Sequence, residues 1–389
     1  MSRPHSPQRG RWTQRLAVAV TSAVATLAVG ELVARQRIPE AHDFQRKNKD
    51  GGILVPFAPG QSADLLTEEF RVRYDINRFG YRDRLDRQEA KPAGAKRLLV
   101  FGDSQSGGWG VEFEDTYAYR LEDELGVEVI NTARNGACPL WYLYQTRYAM
   151  ERFDGDALLV QIFDNDVQDN MLWVQKLGVR LDQDVGPIPA KYDVRDGFAA
   201  ASSRFWDSLL VFRELGRVID GKRVSPNPYI RVGSVPDRRI LTREESKERH
   251  GIDFRNPTFL RSFGFHADGV RGHWAEGFRV HEHLVRQLVQ EARANGWPIV
   301  VLYIPCLQFF HQRGSLEKLI ARNPLDQQLR AICEENDVPF LDAAEVFGAR
   351  KNPSLCYHLW DGHMNATGHA ALAEALAPFV RERVPELFD

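Results

Sequence analysis

Four short stretches of this 389-residue chain carry side chains that could act together on a carbonyl compound. Gly102-Asp103-Ser104-Gln105-Ser106 follows the apolar run Arg97 to Phe101. A serine on a strand-to-helix turn presents its hydroxyl to solvent beside backbone N–H groups that favour negative charge. The same residues also read as an ordinary helix cap. Asn131 to Gly136 (NTARNG) follows a second apolar run. Gly136 can bring a bare backbone N–H close to a substrate oxygen, or it can simply turn the chain. Phe163-Asp164-Asn165-Asp166 follows a third run. The Asn165 amide can donate toward the serine, or it can close an Asx turn. Far downstream stands Trp360-Asp361-Gly362-His363-Met364-Asn365. An aspartate two residues before a histidine can hold the imidazole Nδ1 and leave Nε2 to take a serine proton. The competing reading is a loop ended by a helix-capping Asn365.

These residues need a scaffold that brings them to one edge. Arg97–Phe101, Val127–Ala133 and Ala157–Phe163 read as buried strands, with helices expected over 115–125 and 141–153. After a break, helix 275–294, strand 298–304, helix 323–336, strand 338–341 and helix 366–384 continue the rhythm. Strand–helix alternation at this spacing predicts an α/β protein, a parallel sheet covered by helices on both faces. In such sheets, sites form just past the carboxyl ends of strands, where the first three stretches fall. Residues 97–166 and 273–389 form a core of ordinary single-domain size. Residues 36–96 read as a stalk with irregular or strand-like cover. Residues 167–272 read as an insertion, with an amphipathic helix at 203–219 that includes Trp206.

Serine, glycine, asparagine and Asp-x-His in this order resemble the SGNH hydrolases, also called GDSL-type esterases and lipases. GDSQS, NTARNG, DND and DGHMNATGH are the matching segments. The resemblance implies a three-layer α/β/α sandwich of flavodoxin-like type over residues 97–389. It also implies roles. Ser104 would be the nucleophile, His363 the general base and acid, and Asp361 the residue that orients it. The oxyanion would be held by the Ser104 and Gly136 N–H groups and the Asn165 amide. The implied reaction is ester hydrolysis through an acyl-enzyme, with no metal and no cofactor. Two features depart from the usual pattern. Phe163 stands where the third segment commonly has glycine, and could narrow the pocket beside Asn165. The spacing is Asp361-x-His363 rather than Asp-x-x-His. An O-acyltransferase using the same triad, and a non-catalytic glycan- or protein-binding module, are the alternative readings.

The remaining signals bound the context. The formal net charge is -2, from 51 basic and 53 acidic residues, so nothing points to nucleic acid. Arg3, Arg9, Arg11 and Arg15 precede any acidic residue, and Leu16 to Gly30 follows without a charge. That is the pattern of an export signal. Residues 1–35 are expected to be a signal-anchor or signal peptide, favouring a single transmembrane anchor with the rest of the chain extracytoplasmic. An acylated glycan or small ester is the expected substrate. Cys138, Cys306, Cys333 and Cys356 permit three pairings, including a Cys138–Cys356 bridge between site loops, or four buried thiols. His281-Glu282-His283, and His358, His363 and His369 around Asp361, invite a metal reading. A solvated helix face explains the first better, and too few ligands accompany the second. Trp109 and Trp141 are candidates for a substrate groove or for burial.

Overall fold

The computed structural model describes residues 8–37, 57–187 except 58 and 68, 242, 244–245 and 263–388. The expected helix at 203–219 lies outside the described residues. Two compact units divide the chain, one of residues 1–43 with 194–236 and one of the remainder.

In the first unit, Gln8–Arg37 forms helix α1. Among the described residues, no helix is long and apolar enough to cross a membrane. The charge-free run from Leu16 to Gly30 rises only about 22 Å at 1.5 Å per residue, against a ~30 Å hydrocarbon core. The expected transmembrane anchor is therefore not supported. The run instead matches the apolar stretch of a signal peptide in length.

In the second unit, five parallel strands form the central sheet in the order β4-β3-β5-β6-β7. They are β3 (Arg97–Phe101), β4 (Glu128–Asn131), β5 (Ala157–Phe163), β6 (Ile299–Ile304) and β7 (Phe340–Asp342). This is the flavodoxin-like order, and its first strand pairs on both sides. Strand residues alternate between two apolar cores, as a sheet covered on both faces requires. Leu99, Phe101, Leu158, Val160, Ile162 and Val301 face one core. Leu98, Val100, Leu159, Val300, Leu302 and Ile304 face the other.

Helices α3 (Pro139–Phe153), α4 (Asp166–Leu177), α5 (His273–Ala294) and α7 (Pro324–Glu335) cover the first face. Helices α2 (Tyr117–Leu125), α8 (Ala343–Gly348) and α9 (Ala366–Arg383) cover the second, while α6 (Leu316–Ala321) lies between β6 and α7 in sequence. Local chemistry sets the helix ends. Thr116 accepts the Tyr119 N–H at the start of α2, and Gly126 ends it at φ 71°. The opening of the 167–272 stretch is α4, packed against α5 rather than standing apart.

The residues before the sheet fold onto the same unit. β1 (Ser62–Leu66) and β2 (Arg71–Asp75) form an antiparallel hairpin. Phe79 and Tyr81 join the core that contains Leu99. Buried Arg87 pairs with buried Asp83 and with Glu122. In the Lys91–Lys96 stretch, Lys91 bonds to Asp156 at 3.0 Å.

Candidate active site

Three of the sequence-derived residues meet in one hydrogen-bonded chain. Ser104 Oγ lies 2.8 Å from His363 Nε2. His363 Nδ1 lies 2.5 Å from Asp361 Oδ1. The Asp361 side chain is fully buried and that of His363 is 22% exposed, so the chain runs from the interior toward an accessible serine.

Each member is held by its own turn. Ser104 lies in a series of tight turns over 104–110, not at a helix start, because α2 begins only at Tyr117. Gly102 allows that turn to pass over β5. A Cβ there would sit 2.3 Å from Ser106 Oγ and 2.5 Å from Gln161 Oε1. Gln161 accepts from the Asp103 N–H at 3.1 Å and from the Ser106 hydroxyl at 2.8 Å. Buried Arg82 closes the other side. It donates to the carbonyls of Gly107, Gly108, Val111 and Arg73, and its guanidinium lies 3.6 Å over the Tyr74 ring.

The Asp361–His363 loop is a narrow reversal. Tyr357 and Met364 pair across it, and the His358 N–H donates to the His363 carbonyl at 2.8 Å. Gly362 takes φ 84°, which favours glycine. This reversal lets an Asp-x-His spacing reach Nδ1. The loop is latched to the serine turn, because the Met364 N–H donates to Gln105 Oε1 at 3.0 Å. Asn365 caps α9 at the same time, accepting from the Gly368 N–H.

The electrostatics favour a polarised His363. Burial alone would lower its pKa, but the Asp361 carboxylate, with Asp103 beyond it, holds it above the ordinary histidine value. Burial would raise Asp361, but charge and hydrogen bonding from His363 bring its carboxyl below the usual range. Behind the serine, burial pushes the fully buried Asp103 up to about 6. One of its oxygens accepts the Gln105 N–H at 2.8 Å, while Oδ2 has no hydrogen-bond partner among the described residues.

Gly136 sits at φ 68° in the loop after β4, and a Cβ there would meet nothing within 4 Å. That loop runs beside the serine turn. Arg134 N–H donates to the Gly102 carbonyl at 3.0 Å and Asn131 Nδ2 to the Ser106 carbonyl at 2.9 Å. Asn165 stands at the N-terminus of α4, its amide donating to Asp169 at 3.1 Å. Phe163 is buried in the second core against Phe263, which accounts for the large residue at that position.

The other candidates resolve individually. All four cysteines are free and buried, so the bridge between loops is not formed. His358 Nε2 donates to the Gly110 carbonyl at 3.0 Å, and His369 Nδ1 accepts the Tyr117 N–H at 3.2 Å. Together with His363 they have three separate roles rather than one ligand set. His281 is buried rather than on a solvated helix face and bonds Gln328, while Glu282 pairs with Arg286. Asp164, His266 and Cys306 cluster. Asp164 accepts from Tyr303 Oη, the Cys306 N–H and His266 Nε2, a network that ties the end of β5 to that of β6. Trp141 is fully buried beneath the Arg134 guanidinium.

Three supporting roles were not read from the sequence. Trp109, a candidate for groove or burial, instead donates from Nε1 to Asp361 Oδ2 at 3.2 Å. Glu69 accepts from the backbone of Trp360 and Asp361. Gln161 supports the serine turn, and it is the one polar residue in the strand ALLVQIF, which was its available signal.

A flavodoxin-type sandwich with a Ser–His–Asp chain past the carboxyl ends of its strands has the architecture that the SGNH resemblance implies. Among solved structures, the chain is similar to a lipase/acylhydrolase from Enterococcus faecalis at 9% identity, TM-score 0.38, covering 74% of this chain and 96% of that one. It is similar to an acetylxylan esterase from Geobacillus stearothermophilus at 15% identity and TM-score 0.37, covering 73% and 94%. A psychrotrophic esterase from Pseudoalteromonas, whose structure was also determined inhibited by monoethylphosphonate, matches at 10% identity and TM-score 0.34, covering 75% and 98%. No family model and no curated protein matches the chain.

Proposed function

We propose that this protein is a serine ester hydrolase working through an acyl-enzyme. The observation that carries the reading is the unbroken Ser104–His363–Asp361 hydrogen-bond chain. Ser104 Oγ attacks the ester carbonyl carbon while His363 Nε2 takes its proton. Asp361 holds Nδ1–H and stabilises the imidazolium. The oxyanion is received by the N–H groups of Ser104 and Gly136 and by Asn165, whose amide turns from Asp169 to donate. His363 then protonates the leaving alcohol. A water, deprotonated by His363, resolves the acyl-enzyme and restores Ser104.

The arginine-flanked apolar run Leu16–Gly30 supports a place of action outside the cytoplasm, reached through a signal-peptide-like segment. On that reading the substrate is an O-acyl ester, such as an acetylated glycan, met outside the cell membrane. A fluorophosphonate tests the nucleophile. One adduct, on Ser104, is expected in wild type and none in Ser104→Ala or His363→Ala. Labelling elsewhere, or none in wild type, rejects it.

A further inference from the structure

The β1–β2 hairpin lies outside the parallel sheet, yet its turn reaches the acid–base loop. One Glu69 carboxylate accepts the Trp360 N–H on both oxygens, at 2.9 and 3.0 Å, and the Asp361 N–H at 2.7 Å. Hydrogen bonds to an ionised acceptor are among the stronger kind, and two successive backbone donors fix the two peptide planes that lead into the triad aspartate. The same hairpin supplies the surrounding wall. The Phe70 ring contacts His358 at 4.9 Å and Trp109 at 6.4 Å, and the Tyr74 ring contacts Trp109 at 6.1 Å. Trp109 in turn holds the second Asp361 oxygen.

We infer that Glu69 is a positioning residue for the Asp361–His363 pair and that the hairpin is a working part of this active site, an inference that rests on the hydrolase reading. Glu69 touches neither Ser104 nor the reacting atoms. It acts by holding the backbone from which the Asp361 carboxylate is aimed at Nδ1. A glutamine retains an acceptor but turns an N–H donor toward one of the two backbone donors. An alanine removes both acceptors.

The test compares Glu69→Gln and Glu69→Ala with wild type in ester hydrolysis, thermal unfolding and NMR titration of the His363 imidazole. The expected result is a kcat lower by about tenfold for glutamine and about a hundredfold for alanine, with KM unchanged. The His363 titration should move down toward the ordinary histidine value in protein that remains folded. Wild-type kcat with an unmoved titration overturns the inference. So does a rate loss that follows the folded fraction alone while the titration stays in place. The titration separates this inference from the hydrolase reading. An inert wild type whose His363 still shifts in Glu69→Gln rejects the enzyme and retains the coupling.

Discussion

Trp109 Nε1 donates to Asp361 Oδ2 at 3.2 Å, the oxygen that His363 leaves unused. The aspartate is thus held from both sides, and its buried charge is shared between an indole and an imidazole. Trp109→Phe keeps most of the ring packing and removes only that donor. Losing one hydrogen bond to a charged acceptor is worth about 1.5–3 kcal/mol. A fall in kcat of roughly tenfold or more, at nearly constant KM, is expected. Steady-state kinetics with a chromogenic ester check this, and an unchanged kcat would remove Trp109 from the account.

The pH profile follows from the pair. His363 must be neutral to accept the serine proton, and its pKa is raised. The kcat/KM should therefore rise with pH through a value above about 6.5, the ordinary histidine pKa. Asp361→Asn should move that limb downward and cut kcat by about 10⁴, as loss of the orienting carboxylate does elsewhere. Stability carries the matching signs. The raised His363 stabilises fully below its unfolded value, a contribution lost as pH rises through the folded one. The lowered Asp361 stabilises above its unfolded value, a contribution lost as pH falls through the folded one.

Asp103 carries the opposite sign. Its pKa is raised by burial to about 6, above the unfolded value, so its ionisation opposes folding. Its contribution to stability should fall by about 3 kcal/mol between roughly pH 4 and 6 and stay low above that. Asp103→Asn removes this titration, and the Asn side chain can still accept the Gln105 N–H. The variant should unfold later than wild type at pH 8, with much of the gain gone at pH 4. Denaturant melts at both values decide, and a variant less stable at pH 8 contradicts the reading.

Much of the fold was legible in the sequence because β3, β5 and β6 are nearly continuous apolar runs, interrupted only by Arg97 at the start of β3 and Gln161 in β5, as strands covered on both faces tend to be. That Ser104, His363 and Asp361 meet was legible from side-chain type and from position after a strand or before the last helix. Glu69 was not legible. It meets the Asp361 backbone across 292 residues, and only the docking of the hairpin brings them together. Arg82 was hidden for the same reason, since an arginine reads as surface until four carbonyls are seen around it. Whether the cysteines pair depends on thiol separations that spacing does not set. A transmembrane anchor requires apolar residues beyond Glu31, because the charge-free run Leu16–Gly30 alone is too short to span.

Arg82 yields a further expectation. Arg82→Met leaves the carbonyls of Gly107, Gly108, Val111 and Arg73 without this donor. Gly107 keeps the Tyr74 hydroxyl and Gly108 the Val111 N–H as donors, so the Val111 carbonyl bears most of the change. A buried polar group left unpaired costs about 1–3 kcal/mol, and a loss of that order in unfolding free energy is expected. A change below about 1 kcal/mol would show that the serine turn does not depend on this clamp.

The proposed hydrolysis requires that Ser104, activated by His363, break an ester bond. Turnover of p-nitrophenyl acetate by wild type and Ser104→Ala measures it most directly. Wild type should show saturable, burst-capable hydrolysis, and removing the hydroxyl should lower kcat by at least about 10³-fold. Equal turnover by the two proteins would contradict it.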